Sequence, residues 1–183
     1  MLDLRRRNGC VWDAALKPFR MDERDKEPFE AWWDRHQQRL SHLHPQVAEQ
    51  WIYRHWSHSY MAFLELDQLD WRLETWHAQE ILERIHLEFG GPMDAEHDYA
   101  AFNGRGSFGP IQTARALNAG EWDMPLLALE TPSGLLSSDG PLPDVRYVVA
   151  EGSKRMRYLF ALERLGHHPG PQKVFLLKTP QVT

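Results

Sequence analysis

Apolar positions recur at spacings of three and four through the first half of the chain and gather into unbroken runs in the second. From Glu27 to Leu43, EPFEAWWDRHQQRLSHL carries Phe29, Trp32, Trp33, His36 and Leu40 on a helical period, with Pro28 suited to a first helical turn. Pro45 opens a second predicted helix through PQVAEQWIYRHW, where Val47 and Trp51 share a face. A third is predicted over LDWRLETWHAQEILERIHLEF. There Leu69, Leu73, Trp76 and Ile85 fall near one stripe before Gly90, Gly91 and Pro92 stop the helix. Residues 1–25 show mixed charge and no sustained period. The predicted organisation is therefore an arm over 1–25 followed by a helical region over 26–92.

After residue 92 the pattern changes. DAEHDYAAFNGRGSFG, with three glycines, Asn103 and Ser107, reads as a loop joining two halves. PIQTARALNAG predicts a short helix closed by Gly120, and MPLLALETP a buried strand. A turn-rich loop, PSGLLSSDGPLPD, then leads to a second strand, VRYVVA. SKRMRYLFALERLG predicts a helix ending at Gly166, and KVFLLKT a last strand. Helices followed by an α-β-β-α-β succession predict an α+β fold, with a mixed domain over 93–183 and a helical cap before it.

With 183 residues, 42% of them apolar and 26% charged, the chain suits one hydrophobic core with a helical appendage. No apolar segment is long enough to cross a bilayer and no apolar signal core follows the first basic residues, so no membrane is expected and the expected location is cytoplasmic, in a bacterium. Cys10 is the only cysteine, which rules out an intramolecular disulfide and argues against a cysteine zinc site. The net charge of −5 argues against a surface coated in cations for non-specific DNA binding. Charge is nonetheless segregated: residues 151 to 178 hold six Lys or Arg against two acids, a local excess of four.

The segment VVAEGSKRMRYLFALERLG concentrates the candidate chemistry. A strand ending in Glu151 and Gly152 and turning into a helix near Ser153 leaves the first helical N–H groups without intrahelical acceptors. Those donors and the positive end of the helix dipole favour an anion. Gly152 lets the backbone turn and a ligand approach. Lys154 and Arg155 add positive charge, the latter in a fork that matches phosphate oxygens, with Arg157 and Lys173 as a supporting basic patch. The same residues also make an ordinary helix start, since Ser153 is a good N-cap. Glu151, beside any bound phosphate, is the candidate catalytic residue: a carboxylate there can orient water or share a divalent cation with phosphate. Its alternative is an ion pair with Arg155 or Arg157.

The string YVVAEGSKRMRYLFALERLG, followed by PQKVFLL, resembles the central box of the ParB/sulfiredoxin superfamily. In that family an apolar strand runs into a G-x-x-R turn, then a helix, a glycine and another apolar strand. Gly152 and Arg155 match the turn, Gly166 the glycine and Val174 to Leu177 the strand. Upstream, ARALNAGEWDMPLLAL resembles the preceding helix, glycine and proline-led strand, so the likeness covers roughly residues 108 to 179. The resemblance implies a ParB/sulfiredoxin-like fold in which Gly152, Ser153, Lys154 and Arg155 bind nucleotide phosphates, of ATP or CTP with Mg²⁺. Sulfiredoxins place a catalytic cysteine where this chain has Ser153, and a hydroxyl lacks the thiolate chemistry that sulfinic acid reduction requires. ParB proteins of chromosome partition continue into further DNA-binding and dimerisation regions, whereas this sequence reaches Thr183 soon after its last strand. The resemblance then points to short stand-alone members, some of them plasmid-encoded inhibitors of DNA transfer with nucleotide hydrolase and nuclease activity. DNA is accordingly an expected partner beside the nucleotide.

Three other groups invite chemistry. His42 and His44, and His55 and His58, contain imidazole ligands, yet no carboxylate or cysteine completes a familiar metal spacing, so hydrogen-bonded histidines are expected and no metal site is assigned. Trp32, Trp33, Trp51, Trp56, Trp71 and Trp76 are candidates for a base-stacking platform or a protein-docking surface, the latter suiting a non-catalytic inhibitor or immunity protein. Their helical spacing predicts buried packing instead. FNGRGSFG, with Arg105 and Ser107, lacks the lysine and following hydroxyl of a P-loop and reads as a junction that could close over phosphates.

Overall fold

The apolar runs LLAL and VFLL form the two central strands of a five-stranded mixed sheet. The structure is a computed structural model describing residues 1–7, 11–20, 26–104 and 109–179. Its strands, in chain order, are β1 Leu2–Asp3, β2 Asp70–Trp76, β3 Ile85–His86, β4 Leu126–Glu130, β5 Leu135–Ser137, β6 Gly140–Leu142, β7 Tyr147–Glu151 and β8 Gln172–Lys178. The α-helices are α1 Phe29–His36, α2 Pro45–Val47, α3 Ala78–Arg84, α4 Ala95–Phe102, α5 Gln112–Asn118 and α6 Ser153–Arg164. The main sheet has the order β2-β8-β4-β7-β3, with β4 and β8 parallel and β4 and β7 antiparallel. The architecture is thus mixed α+β, as the segment pattern predicts.

Alternate residues of the central strands enter opposite cores. Leu127, Leu129, Phe175 and Leu177 meet a helical layer built from the first 69 residues, among them Trp12, Leu16, Trp32, Trp51 and Ile52. Leu126, Ala128, Val174 and Leu176 meet α3, α5 and α6. Burial on both faces explains why these strands read as continuous apolar runs rather than as alternation. At roughly 1.5–3 kcal/mol for each large apolar side chain fully buried, these two layers supply the main driving force for folding.

Helical cover for one face of the sheet therefore comes from the N-terminal region, including α1, α2 and a π-helical turn over Ala48–Tyr53 that continues α2. The first residues differ from a free arm. β1 pairs in parallel with β5, and Leu4, Trp12 and Leu16 are buried in the same core.

The single helix expected from residue 69 to 89 is replaced by three elements. Asp70 to Trp76 form β2, paired antiparallel with β8 along its whole length, Ala78 to Arg84 form α3, and Ile85 and His86 form β3 beside β7. DWRLETW fits a period of two as well as one of 3.6, and pairing with β8 decides between them. The expected loop over 94–109 contains α4, whose first turn is capped by Asp94 Oδ1 accepting from the His97 amide at 2.9 Å. The turn-rich stretch after Pro132 contains the β5–β6 hairpin. The helices expected within 110–120 and 153–166 are present as α5 and α6, each followed by a glycine of positive φ, Gly120 at 112° and Gly166 at 78°.

Candidate functional site

β7 ends where β4 and β8 begin, so three strand ends meet at one end of the sheet. Gly152 leaves β7 with φ 108° and ψ 27° and is the N-cap of α6. A Cβ on Gly152 would lie 2.7 Å from Leu126 Cδ1 and 2.8 Å from Arg155 Nη1, so the dihedral favours glycine and any side chain would have to displace the ends of two buried ones. The first intrahelical bond runs from the Met156 amide to the Gly152 carbonyl at 3.0 Å. The amides of Ser153, Lys154 and Arg155 precede it and have no acceptor within the helix.

Arg155 turns back under this first turn. Only 7% exposed, it donates through Nη1 to Gln50 Oε1 at 2.9 Å and through Nε to Asp123 Oδ1 at 3.3 Å. Gln50 sits on the π-helical turn, is 1% exposed, and donates its Nε2 to the Pro125 carbonyl at 3.1 Å. Arg155 thereby ties α6 to the helical layer and to the loop entering β4. Two of its donor nitrogens are engaged inside the protein, so its guanidinium chiefly holds the turn in shape.

Glu151 is part-exposed, and its Oε2 lies 3.6 Å from His55 Nε2. His55 stands at the end of the helical segment that sequence spacing assigned no chemical role. Nothing local in the sequence marks this pairing, because the two residues meet only when the N-terminal layer covers the sheet. Ser153 is half-buried and Lys154 is exposed in the first turn of α6. Lys173 is exposed at the start of β8, one residue before Val174, the register partner of Leu126, and so reaches the same end of the sheet as Gly152.

Arg157 does not join the basic patch. Its Nε and Nη2 donate to Asp98 Oδ1 at 3.0 and 2.8 Å, its Nη1 to the carbonyls of Gly90 and Gly91 at 2.8 and 3.1 Å, and its Nη2 to that of Pro92 at 3.0 Å. Every nitrogen of the guanidinium is committed, which makes Arg157 a clamp on the 90–92 turn.

The other candidates have structural partners. His42 Nε2 lies 2.8 Å from the Leu66 carbonyl, and His44 accepts from the Gln46 amide while packing on Trp71 and Phe175. Among the described residues, no three His, Cys, Asp or Glu are grouped to hold a metal ion. Trp32 and Trp51 are fully buried and Trp76 is 5% exposed, so these rings belong to the cores. Arg105, Ser107 and Cys10 lie outside the described residues. A groove of about 920 Å³ opens at the other end of β7, along Ile85, His86, Arg146 and Tyr147. Its cations are engaged, Arg84 with Glu80 and over the Trp76 ring, and Arg146 with the carbonyls of Pro132 and Pro143. The Gly152 turn, with helix-start amides that have no intrahelical acceptor and an exposed lysine, is chemically the better anion site, although neither this groove nor the smaller one beside Trp12 includes it.

The arrangement offers the helix-start amides of α6 to an anion, with the Glu151 carboxylate and the His55 imidazole, 3.6 Å apart, beside them. No described helix is long and apolar enough to cross a membrane. No protein family, no curated protein and no solved structure matches the chain.

Proposed function

We propose that the turn from Glu151 to Arg155 binds the phosphates of a nucleotide, ATP or CTP with Mg²⁺, and that Glu151 assists hydrolysis of a phosphoryl bond in a nucleotide or in DNA. The observation that carries this reading is the left-handed Gly152 opening a twelve-residue helix beside the Glu151 and His55 pair. The resemblance of the strand, turn, helix and strand to the ParB/sulfiredoxin pattern supports it, and that resemblance, through those short members that inhibit DNA transfer, extends the proposal to interference with DNA transfer.

In this reading the open amides of Ser153 and Lys154 donate to phosphate oxygens, Lys154 and Lys173 add charge from two sides, and the Ser153 hydroxyl supplies a further donor. Arg155 acts through the backbone it holds. The Glu151 carboxylate would accept the proton of the attacking water as the new P–O bond forms and the P–O bond to the leaving group breaks, or would help hold Mg²⁺, which would supply charge neutralisation at the phosphate; His55 lies beside that carboxylate.

Thermal shift of the full chain with ATP, ADP and CTP, with and without Mg²⁺, tests the binding step. A ligand at about 100 times its Kd stabilises the native state by about 2.7 kcal/mol, and Lys154→Glu, on an exposed side chain, should abolish most of that gain. Absence of any shift with millimolar nucleotide sinks the proposal. For hydrolysis, phosphate release should fall about 100-fold or more in Glu151→Gln, and unchanged turnover removes that residue from the mechanism.

A further inference from the structure

The strand β2 forms one edge of the main sheet, and among the described residues no strand pairs with its outer side. It is seven residues long, Asp-Trp-Arg-Leu-Glu-Thr-Trp, and is paired with β8 without interruption from Asp70 to Trp76. Edge strands are ordinarily shielded by brevity, proline, lysine or a bulge. β2 is long and carries no proline, lysine or bulge, its only protection being the charges of Asp70, Arg72 and Glu74, and at its centre Leu73 is 44% exposed.

Its charges are of opposite sign and symmetric about that leucine. Arg72 and Glu74 flank Leu73 and lie on one face of the strand, where Arg72 bridges Glu74 and Glu130. Placed antiparallel to itself about a two-fold axis through Leu73, the strand sets Arg72 opposite Glu74 twice, Leu73 opposite Leu73, and Trp71 opposite Thr75. Opposite charges directly across an antiparallel pair attract, and aromatic residues pair well with β-branched ones. A two-fold axis one residue earlier or later sets Arg72 against Arg72 or Glu74 against Glu74, which repel. The charge pattern thus permits self-pairing and selects its register.

We propose that β2 is the interface of a homodimer, in which two copies pair antiparallel through residues 70–76 and join their sheets into one of ten strands. A self-complementary edge needs no other occupant, because each copy supplies the strand that the other lacks and sets its Arg72 and Glu74, already paired within the copy, against the opposite charges of its partner.

Sedimentation equilibrium on the full chain, from micromolar to submillimolar concentration, tests the proposal independently of any nucleotide. The wild type should dimerise. Leu73→Lys, which puts two cations on the axis, and Arg72→Glu, which faces two acids with two acids, should each weaken dimerisation about tenfold or more. Combining Arg72→Glu with Glu74→Arg restores opposite charges across the axis and should recover most of the association. Circular dichroism melts establish that each variant is folded. A monomeric wild type, a dimer indifferent to Leu73→Lys, or a double variant no better than Arg72→Glu alone overturns the assignment.

Discussion

Arg155 Nη1 donates to Gln50 Oε1 at 2.9 Å across 105 residues of chain, joining the first turn of α6 to the helical layer around the end of the sheet. The pair is almost fully buried, so each group depends on the other for its hydrogen bond. Arg155→Met should cost about 3 kcal/mol, since it leaves Gln50 and Asp123 without their donor in a site closed to water. Gln50→Leu should cost about 1–2 kcal/mol, and in a double-mutant cycle the two losses should fall short of adding. Urea midpoints of the four proteins give the coupling directly. An Arg155→Met protein as stable as the wild type removes the network from any structural role.

Gly152 should tolerate no side chain. An added Cβ meets Leu126 Cδ1 and Arg155 Nη1 below 3 Å, and φ of 108° is strained for any L residue. Gly152→Ala should therefore lose about 3 kcal/mol, combining backbone strain with overpacking. Gly166, at φ 78° with open space around its Cβ position, carries only the backbone part, about 1 kcal/mol. Comparing the two alanine variants by denaturant unfolding separates crowding from strain, and equal losses would contradict the crowding at Gly152.

What the sequence made legible depended on whether a signal was local. The run from Leu126 to Leu129 and that from Val174 to Leu177 announce strands buried on both faces, and Gly152 before Ser153 announces a turn into a helix, because those features are set by neighbouring residues. Asp70 to Trp76 failed that test: its apolar spacing suits helix and strand alike, and only pairing with β8, a hundred residues later, decides. The site divides in the same way. Glu151, Lys154 and Gly152 could be found from the chain, whereas His55 beside Glu151, and Gln50 and Asp123 around Arg155, are products of the tertiary fold. Arg157 looked like a neighbour in charge to Arg155, yet it faces the 90–92 carbonyls on the other side of its helix.

Arg157 and Asp98 form a buried ion pair that holds the turn at Gly90 to Pro92. Removing the cation strands an almost fully buried carboxylate, so Arg157→Leu should destabilise by about 3–5 kcal/mol. Because three carbonyls lose their donor with it, amide hydrogen exchange across residues 88–94 should accelerate more than in the core strands. Nucleotide binding, if it resides at Gly152, should persist in the folded fraction. Unchanged exchange across that turn would contradict the clamp.

Stability should fall as the medium is acidified through the histidine range. Burial lowers the affinity of His36 and His44 for a proton below that of an ordinary imidazole at 6.5, with Arg35 adding to the effect at His36. Above that value both rings are neutral whether the chain is folded or not, and no stability depends on them. Below it the unfolded chain takes up protons that the folded one resists, so the unfolded state gains until pH passes the lowered native values. The urea midpoint should consequently be lower at about pH 5.5 than at about pH 7.5. A separate loss should begin below the ordinary glutamate value of 4.5, as Glu27, held down mainly by its hydrogen bond with Arg35, is protonated. His44→Asn keeps an acceptor for the Gln46 amide and removes one titrating ring, so it should flatten the upper step while leaving the lower one in place. A midpoint independent of pH between those two histidine-range conditions would show that the half-buried rings charge as easily in the folded protein as outside it.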